Sequence, residues 1–369
     1  MVQRSKICIL MNQAPTYVEA SYRLFDKELS ILWCFGSNDG TVKEMDHSLL
    51  KEVKVFPTKR ISDNAYYLKG ALSLALRNDI KSYILIGEPG MLTTWILPRL
   101  IKFIDSSKKV LFWSHAWYGR ESRIKAFVKK IYFKAADGVL TYGNYARDLM
   151  IKEGFNPETI HTIHNSLNHN VHIELRNTLN QSDIYHEYFG NNFPVLIMIG
   201  RITKRKRLEM LLHAVSKMKQ VNSNYNVVIV GDGEGRTYLE QLSIKLCVED
   251  RVWFYGACYD EKQNAELLYN ADMCVVPGDI GLTGIHSLTF GLPTLTHNKF
   301  IFQGPEFEAI IPNVTGDFFE YNNTDSLIEK IEAWFKSHPD RESVRKACYN
   351  EIDENWTPEF ELNVLKQVL

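Results

Sequence analysis

The stretch ADMCVVPGDIGLTGIHSLTFGLPTLTH, residues 271–297, decides the fold class. An apolar strand runs into a glycine-rich turn, and a helix begins near Thr283. Gly281, Leu282 and Thr283 would present backbone N–H groups at the helix N-terminus, where anions bind, and Thr283 would also cap the helix. A Gly-x-Pro triplet starting at Gly291 ends that helix and leads into the next strand. The pattern predicts a strand–turn–helix–strand unit with an anion site in its turn; an ordinary βαβ turn is the alternative.

The same alternation of strand and helix patterns fills the rest of the second half of the chain. Buried apolar runs predict strands at 195–200, 226–230, 252–255, 273–276 and 294–296. Amphipathic periods predict helices at 208–220, 236–246, 261–270, 284–290 and 326–337. Strands alternating with helices indicate βαβ units on a parallel sheet, the doubly wound arrangement.

The first half follows the same scheme. Strands are predicted at 7–11, 31–35, 54–56, 83–86, 110–114, 139–142 and 159–164, and helices at 66–78, 93–106, 123–136 and 144–153. Residues 169–193 are polar and without a period, which indicates a connection between domains. We therefore predict an α/β chain with one Rossmann-like domain at 1–170 and a second at 171–340, facing each other across a ligand-binding cleft, followed by a helical segment at 341–369.

A basic turn, GRITKRK, lies between a predicted strand and a predicted helix at 200–206. Arg201 and Lys206 would reach the carboxyl end of the sheet, where open α/β sheets bind their ligands. A guanidinium fork and an ammonium group both suit phosphate oxygens. A solvated basic turn is the alternative reading.

A second glycine-rich turn, VVIVGDGEGR at 227–236, is close to a dinucleotide-binding fingerprint. Its glycines, Gly231, Gly233 and Gly235, have the wrong spacing for G-x-G-x-x-G, and the turn follows the second strand of its domain. We interpret it as a tight strand-to-helix turn that needs the backbone freedom of glycine.

Composition supports a globular chain with two regions of opposite charge. The 369 residues suffice for about two domains, and no apolar run reaches the roughly 18 residues of a membrane span. Residues 1–170 carry 24 Lys and Arg against 16 Asp and Glu, a net +8, and the remainder carries 19 against 28, a net −9. Six scattered cysteines without a CxxC pair, and a start that does not fit a signal peptide, favour reduced thiols in a cytoplasmic protein.

Taken together, the motifs resemble the retaining glycosyltransferases of family 4, also called group 1, which have the GT-B fold. The resemblance is carried in order by GRITKRK at 200–206, VGDGEG at 230–235, VWFYG at 252–256, the 271–297 block and PE…VTG at 305–316. In the first half it is carried more loosely by FWSHAWYG at 112–119 and HTIHNSLN at 161–168. The resemblance implies a C-terminal helix at 341–369 that crosses back to the first domain.

The resemblance also implies roles for individual residues. Arg201 and Lys206 match the basic pair that grips the donor pyrophosphate and stabilises it as it leaves. The amides of Gly281, Leu282 and Thr283 match those that receive the same phosphates. The remaining matches are His115 at the reaction centre, Asn165 in the segment leading out of the first domain, and Glu306 in the turn near the donor.

One departure concerns the paired glutamates that this family places around the 281–282 turn. Gly278 and His286 occupy their positions, so neither carboxylate is present. The first glutamate normally holds sugar hydroxyls and the second holds the ribose. His286 can still hydrogen-bond a ribose, and Asp279 or Glu306 would supply the missing acceptor.

The implied chemistry needs neither a metal nor another cofactor. The donor substrate is a nucleotide diphosphate sugar, and Asp-x-Asp, the usual metal clamp of the other glycosyltransferase fold, does not occur. Cationic side chains and backbone amides would stabilise the charge growing on the leaving diphosphate. The histidines near residues 161–172 are not expected to bind a metal.

The segment RESRIKAFVKKIYFK, residues 120–134, holds six basic residues and one acidic residue among apolar ones. It predicts a basic amphipathic helix for an anionic membrane surface, or a solvated helix packed on the sheet. With the charge of the first half, this favours a glycan or lipid-diphosphate-linked acceptor at the cytoplasmic face of a membrane, in bacterial-type surface polysaccharide assembly. No nucleic acid partner is expected.

Two other functional classes remain open at this stage. The loss of both glutamates is compatible with a catalytically silent relative that acts as a partner or scaffold. The GDGEG turn is compatible with a nicotinamide oxidoreductase, although its glycines are misplaced for one.

Overall fold

The computed structural model describes residues 6–38, 40 and 43–369. The chain divides into two compact units: unit 1 comprises Met1–Asn168 with Thr357–Leu369, and unit 2 comprises His169–Trp356. Each unit is built on a parallel sheet with helices on its faces. No described helix is long and apolar enough to cross a membrane.

Unit 1 is a seven-stranded parallel sheet in the order β3-β2-β1-β6-β7-β8-β9. Its strands are β1 (Lys6–Met11), β2 (Ile31–Gly36), β3 (Val53–Phe56), β6 (Ile80–Ile86), β7 (Lys109–Ser114), β8 (Gly138–Thr141) and β9 (Ile160–Thr162). Its helices are α1 (Glu19–Glu28), α2 (Thr93–Ile104), α3 (Arg123–Phe133) and α4 (Asn144–Lys152). The antiparallel hairpin of β4 (Thr58–Ser62) and β5 (Ala65–Leu68) lies outside this sheet.

Alternation along the strands forms a separate apolar layer on each face of this sheet. In β1, Cys8 and Leu10 point into one layer, and Ile7, Ile9 and Met11 point into the other. Residues of opposite parity point to opposite faces, so both sides of a central parallel strand must be apolar.

Unit 2 is a six-stranded parallel sheet in the order β12-β11-β10-β13-β14-β15, the 3-2-1-4-5-6 order of the Rossmann fold. The strands are β10 (Val195–Ile199), β11 (Asn226–Val230), β12 (Val252–Gly256), β13 (Met273–Val275), β14 (Thr294–His297) and β15 (Gly316–Phe319). Its helices are α5 (His169–Arg176), α6 (Ile184–Phe189), α7 (Leu208–Gln220), α8 (Arg236–Lys245), α9 (Glu261–Asn270), α10 (Thr283–Thr289), α11 (Thr324–Ser337) and α12 (Arg341–Asn355). Two Rossmann-like halves confirm the predicted α/β fold class.

The last helix, α13 (Pro358–Val368), belongs to unit 1 and packs against α1. Its Leu362, Leu365 and Val368 complete the apolar layer that contains Phe25 and Trp33. The return to unit 1 begins at Thr357, later than the predicted residue 341, because α12 packs against α10 in unit 2. Thr357 caps α13 by accepting a hydrogen bond from the amide of Phe360 at 3.1 Å.

Two local predictions are wrong. The helix predicted at 66–78 is strand β5 followed by a short 3-10 helix, Ala71–Leu76, because Gly70 takes a left-handed φ of 88° and separates them. The 169–193 segment, predicted to be a connection between the domains, contains α5 and α6 and belongs to unit 2. Its buried side chains, among them His172 and Tyr185, pack into unit 2 instead of facing solvent.

Candidate functional site

In unit 2, Lys206 holds the glycine-rich turn that follows β13. Its Nζ donates hydrogen bonds of 2.8 Å to the backbone carbonyls of both Asp279 and Ile280, and lies 3.5 Å from Oγ1 of Thr283. Burial lowers the pKa of the Lys206 ammonium, and the nearby Asp279 carboxylate opposes that shift. The two acceptor carbonyls and this carboxylate together keep a cation at the base of the turn.

The turn also presents three backbone amides at the start of α10, where the sequence predicts an anion site. Within the part of the chain that the structure describes, the N–H groups of Gly281, Leu282 and Thr283 make no backbone or side-chain hydrogen bond. Thr283 does not cap the helix, contrary to the prediction: Leu282 is the N-cap residue, and the Thr283 hydroxyl donates to the Ile199 carbonyl at 2.8 Å. That bond fixes the start of α10 to the end of β10.

Asp279 and Glu306 meet at Gly304. Oδ1 of Asp279 accepts a hydrogen bond of 2.8 Å from the Gly304 amide. A Cβ built on Gly304 would lie 2.6 Å from Oε2 of Glu306 and 3.7 Å from the α-carbon of Gly281. The structure therefore brings both predicted carboxylates to the glycine-rich turn, and Glu306 is buried there.

The sequence analysis did not identify Gln303, which fixes the shape of this turn. The buried Gln303 accepts a hydrogen bond from the Ile280 amide at 2.8 Å and donates to Oγ1 of Thr296 at 2.8 Å. It also donates to the carbonyl of Gly278 at 3.3 Å. An isolated glutamine two residues before a Pro-Glu pair gives no signal of this role, because its partners are 6 to 25 residues distant in the chain.

Gly278, at the position of the first missing glutamate, is in close backbone contact with the basic turn. A Cβ built on it would lie 1.8 Å from the carbonyl oxygen of Arg205. The Gly278 amide donates to the Lys206 carbonyl at 2.9 Å, and the Asp279 amide donates to the Arg205 carbonyl at 3.0 Å. The space that a side chain at 278 would need is therefore filled by backbone.

The two arginines of the basic turn differ in their contacts. Arg201 is exposed, and its guanidinium has no ion pair or hydrogen bond with any described residue. The Arg205 guanidinium forms an ion pair with the Asp279 carboxylate. The basic turn therefore offers one unpaired guanidinium, that of Arg201, beside a paired one.

The GDGEG turn is a tight strand-to-helix turn whose glycines allow close backbone packing, as predicted from their spacing. Gly231 and Gly233 have φ values of 147° and 153°, and added Cβ atoms would lie 1.9 Å from the Gly200 carbonyl oxygen and 2.2 Å from that of Ile202. These glycines let the two loops at the ends of β10 and β11 touch through their backbones.

His286 lies apart from the Lys206 cluster and has partners of its own. Its Nε2 is 2.7 Å from Oε1 of Glu261, and Nε2 of His172 is 3.0 Å from the same oxygen. Burial would raise the pKa of Glu261, but the hydrogen bonds from the two imidazoles outweigh it and hold that pKa well below its usual range. His286, which is predicted to hydrogen-bond the donor ribose, therefore already has a carboxylate partner in Glu261.

The two predicted residues of unit 1 follow strands of its sheet. His115 comes directly after β7, is exposed, and its ring centroid lies 4.6 Å from that of Tyr142. Asn165 follows β9 and is partly buried. Both lie at the carboxyl edge of the sheet, the edge where open α/β sheets bind ligands.

The same carboxyl edge of unit 1 carries a polar cavity of about 410 Å³. Residues that follow β1, β2 and β6 line it together with the β4–β5 hairpin, among them Asn12, Ser37, Arg60, Asp63, Tyr66 and Glu88. The Tyr66 hydroxyl donates to Glu88 at 2.7 Å, and burial followed by this carboxylate raises the Tyr66 pKa. The sequence analysis missed the cavity because its residues come from four separate segments.

Helix α3 turns an apolar face outward. Ile124 and Phe127 have exposed fractions of 78% and 63%, while Tyr132 and Phe133 are buried in the core. The neighbouring α2 adds Phe103, with an exposed fraction of 87%. The two helices are joined by a hydrogen bond of 2.9 Å from the Arg99 guanidinium to the Ile131 carbonyl, and by ring contact between Trp95 and Tyr132.

Comparisons with known proteins agree with this architecture. The family model described as "Glycosyl transferases group 1" matches residues 183–351, just under half of the chain. Two uncharacterized glycosyltransferases of Methanocaldococcus jannaschii are each 25% identical, over 166 and 218 residues. These matches cover 44% and 54% of this chain and 41% and 50% of the relatives, so the chain spans about half the length of the curated relatives it matches.

Solved structures cover both units. A glycosyltransferase from Rickettsia africae has a TM-score of 0.74 at 18% identity, over 99% of this chain and 98% of that one. Anabaena HepE in complex with UDP has a TM-score of 0.72 at 17% identity, and the lipopolysaccharide outer core galactosyltransferase WaaB has 0.71 at 13%; both cover 98% of each chain. At these identities the likeness shows the fold. Residues 183–351 thus match the glycosyl transferases group 1 family model, in a chain with the GT-B fold.

Proposed function

We propose that this protein is a retaining glycosyltransferase of family 4 that transfers a sugar from a nucleotide diphosphate donor to an acceptor hydroxyl. The observation that carries the proposal is the turn at 279–283, where Lys206 lies beneath three unpaired amides. The exposed Arg201, at the other end of the basic turn, adds a guanidinium that has no partner among the described residues. Such a set of donors suits a diphosphate better than any other common ligand.

The mechanism follows from where charge develops. As the bond from the anomeric carbon to the diphosphate oxygen breaks, negative charge grows on the diphosphate, and Arg201, Lys206 and the turn amides stabilise it. The acceptor hydroxyl attacks the same face of the sugar, and its proton passes to the departing phosphate oxygen. This route retains the anomeric configuration, uses no protein nucleophile, and assigns no step to a metal ion or other cofactor.

The sugar itself would be held by Asp279 and Glu306, the carboxylates around Gly304. Asp279 already accepts from the Gly304 amide and pairs with Arg205, so few of its lone pairs remain for sugar hydroxyls. In unit 1 we assign His115 to the reaction centre and Asn165 to a supporting position. The nucleotide part is bound chiefly by unit 2.

For the acceptor we propose the sugar end of a glycan or of a lipid-linked glycan, bound in the unit 1 cavity. Its amides, hydroxyls and two carboxylates, Asp63 and Glu88, are typical partners of sugar hydroxyls. Arg60 is the single cation among the lining residues that the structure describes, so the cavity does not suit a diphosphate group. A lipid diphosphate would therefore lie outside it.

We further propose that unit 1 rests on an anionic membrane surface, at the cytoplasmic face, in the assembly of a surface polysaccharide. The exposed apolar residues of α2 and α3 would enter the interface, and exposed lysines such as Lys125 and Lys134 would face the headgroups. Apolar exposure of this size on two adjoining helices favours the membrane reading of 120–134 over a face packed on the sheet.

The central test combines binding and product analysis. The purified chain is screened against nucleotide sugars by thermal shift, and transfer is followed by release of the nucleoside diphosphate. The anomeric configuration of the product is read by NMR. Arg201→Ala and Lys206→Ala should abolish most transfer, whereas Lys217→Ala, an exposed lysine on α7, should not. Absence of binding by every donor would refute the function, and an inverted product would refute retention alone.

A catalytically silent relative is the second candidate, favoured by the engaged His286 and the filled position 278. It predicts donor binding without diphosphate release in the presence of any acceptor. The same screen separates the two candidates. The nicotinamide oxidoreductase has lost its support, because backbone packing accounts for Gly231 and Gly233.

A further inference from the structure

Three helices of unit 2 direct ligand-type atoms to one point. His172 of α5 and His286 of α10 approach Oε1 of Glu261, the first residue of α9, through their Nε2 atoms, at 3.0 and 2.7 Å. The ligand atoms of all three residues lie within 4.8 Å of one another. Two imidazole nitrogens and a carboxylate oxygen are the donor set of catalytic zinc sites and of related first-row transition metals.

The surroundings of this cluster are enclosed on one side and open on the other. The His172 side chain has an exposed fraction of 6%, that of His286 15% and that of Glu261 35%. Phe290 packs edge-on against both imidazole rings, with centroid distances of 5.4 and 5.6 Å. An ion would thus enter the site from the more exposed Glu261 side. The buried imidazole of His172 would be its innermost ligand.

Two buried polar atoms in the same place have no partner among the described residues. They are Nδ1 of His172 and Oδ1 of Asn264, whose amide nitrogen lies 3.5 Å from Oε2 of Glu261. Buried atoms without partners are rare, and a missing ion or water is a usual cause. For Nδ1 of His172 that cause would be a water, because an ion bound through Nε2 does not reach Nδ1.

We propose that His172, Glu261 and His286 bind a first-row transition metal ion of the zinc class. Metal–ligand bonds of about 2.0–2.2 Å from each atom require the Glu261 oxygen to move a few tenths of an ångström away from each imidazole nitrogen. The ion would join α5 to α9 and α10 and keep at least one coordination position for water. His286 then serves the ion instead of a donor ribose.

The expected metal affinity depends on the hydrogen bonds that the ligating side chains make to other groups. A histidine that binds through Nε2 carries its proton on Nδ1, and the buried Nδ1 of His172 finds no acceptor in the described part of the chain. Loss of such an outer partner lowers metal affinity by about 10- to 100-fold. The site is therefore expected to be weaker than zinc sites with a complete outer shell.

The test uses the full chain, stripped with a chelator and titrated with Co²⁺ while its visible absorption is recorded. The expected result is saturation at one equivalent, displacement by Zn²⁺ and no displacement by Mg²⁺, which prefers oxygen ligands. His172→Gln and Glu261→Gln should each weaken Co²⁺ binding by at least about 10-fold. His213→Gln, an exposed histidine on α7, is the control and should bind as the unchanged chain does.

Glu261→Gln keeps the size of the side chain, so it remains informative if His172→Gln fails to fold. Absence of a saturable Co²⁺ signal, or equal binding by both variants and the control, would overturn the proposal. A Glu261→Gln variant with a lower Tm but no Co²⁺ binding by the parent would show a hydrogen-bonded triad only, which also overturns it. Because the readout needs neither donor nor acceptor, its failure is separate from failure of the proposed transferase activity.

Discussion

The α-carbon of Gly278 packs so closely on Arg205 that a Cβ would lie 1.8 Å from the Arg205 carbonyl oxygen. Two hydrogen bonds lock this contact, from the amides of Gly278 and Asp279 to the carbonyls of Lys206 and Arg205. The path of the basic turn therefore leaves no room for a carboxylate side chain at position 278. A larger residue at 278 would require the backbone at 205–206 to move.

The first prediction tests this coupling. Gly278→Ala should destabilise the chain by at least about 3 kcal/mol, because overpacking against backbone cannot be relieved by a rotamer change. Gly154→Ala is the control: Gly154 has open space around it, although, unlike Gly278, it takes a left-handed φ, here 90°. That variant should cost only about 1–2 kcal/mol. Chemical denaturation measures both; equal losses would show that the contact at 278 is relaxed in solution.

The second prediction separates the roles of the two donor-site cations. Arg201→Ala should lower kcat/KM by at least about 100-fold with an unchanged Tm, since its guanidinium makes no hydrogen bond or ion pair with the described chain. Lys206→Ala should lower both, because the Asp279 and Ile280 carbonyls lose their donor. The measurements are steady-state kinetics and thermal unfolding. An Arg201→Ala variant with normal transfer would remove that residue from the site.

The third prediction concerns the sugar. With position 278 closed to side chains and Asp279 already engaged, discrimination among sugars of one nucleotide should be weak. The free nucleoside diphosphate should compete nearly as well as the whole donor in calorimetry. A preference above about 100-fold for one hexose donor would mean that other residues rebuild the sugar site.

Much of this architecture could be predicted from local patterns, and the exceptions have a common cause. Buried apolar strands such as Val195–Ile199, and a capped start such as that of Pro358–Val368, are signals within a few residues. The close contact at Gly278 joins residues 73 apart, and the His172–Glu261–His286 cluster joins three separate helices. Such contacts are set by packing of the whole unit, so a single sequence does not reveal them.

The prediction at 66–78 failed for a different reason. Its apolar residues have a spacing that fits a helix, but Gly70 adopts a left-handed φ that interrupts it. Backbone hydrogen bonds between Tyr66 and the 90–92 segment then hold β5 extended. Here tertiary pairing outweighed local propensity.

The fourth prediction tests the membrane face of α2 and α3. Lys125→Glu with Lys134→Glu should weaken binding to anionic vesicles by about 30-fold or more, because each basic residue near such a surface contributes about 1 kcal/mol. Lys129 and Lys130 are left unchanged, since they pair with Glu121 and Glu153 and their loss would disturb the fold.

The matched control for that prediction is Lys245→Glu with Lys262→Glu, two exposed lysines of unit 2 with the same change in net charge. Phe103→Ser with Phe127→Ser should weaken vesicle binding at high salt as well, where electrostatic attraction is screened. Sedimentation with vesicles measures all three. Equal binding by the charge variant and its control would leave α3 without a membrane role.

The fifth prediction concerns Glu361, a buried carboxyl group on α13, the helix that packs against α1. Glu361 is fully buried beside Ser21 and Ser166, whose hydroxyl oxygens are 2.7 Å apart, and one of its carboxyl oxygens has no partner in the described structure. Burial raises the pKa of Glu361 to about 8, against a partial lowering by the two serines.

A carboxyl with a raised folded-state pKa stabilises the fold most below its unfolded pKa, and that stability is lost as the pH rises toward about 8. Each pH unit between the unfolded and folded pKa values lowers the free energy of unfolding by about 1.4 kcal/mol. Because glutamine has no charge to bury, Glu361→Gln should stabilise the chain by up to about 3 kcal/mol at pH 7 and by little below pH 4.5. Denaturation at both pH values measures the difference, with the exposed Glu359→Gln as control. A pH-independent effect of Glu361→Gln would mean that the carboxyl is ionised in the folded chain.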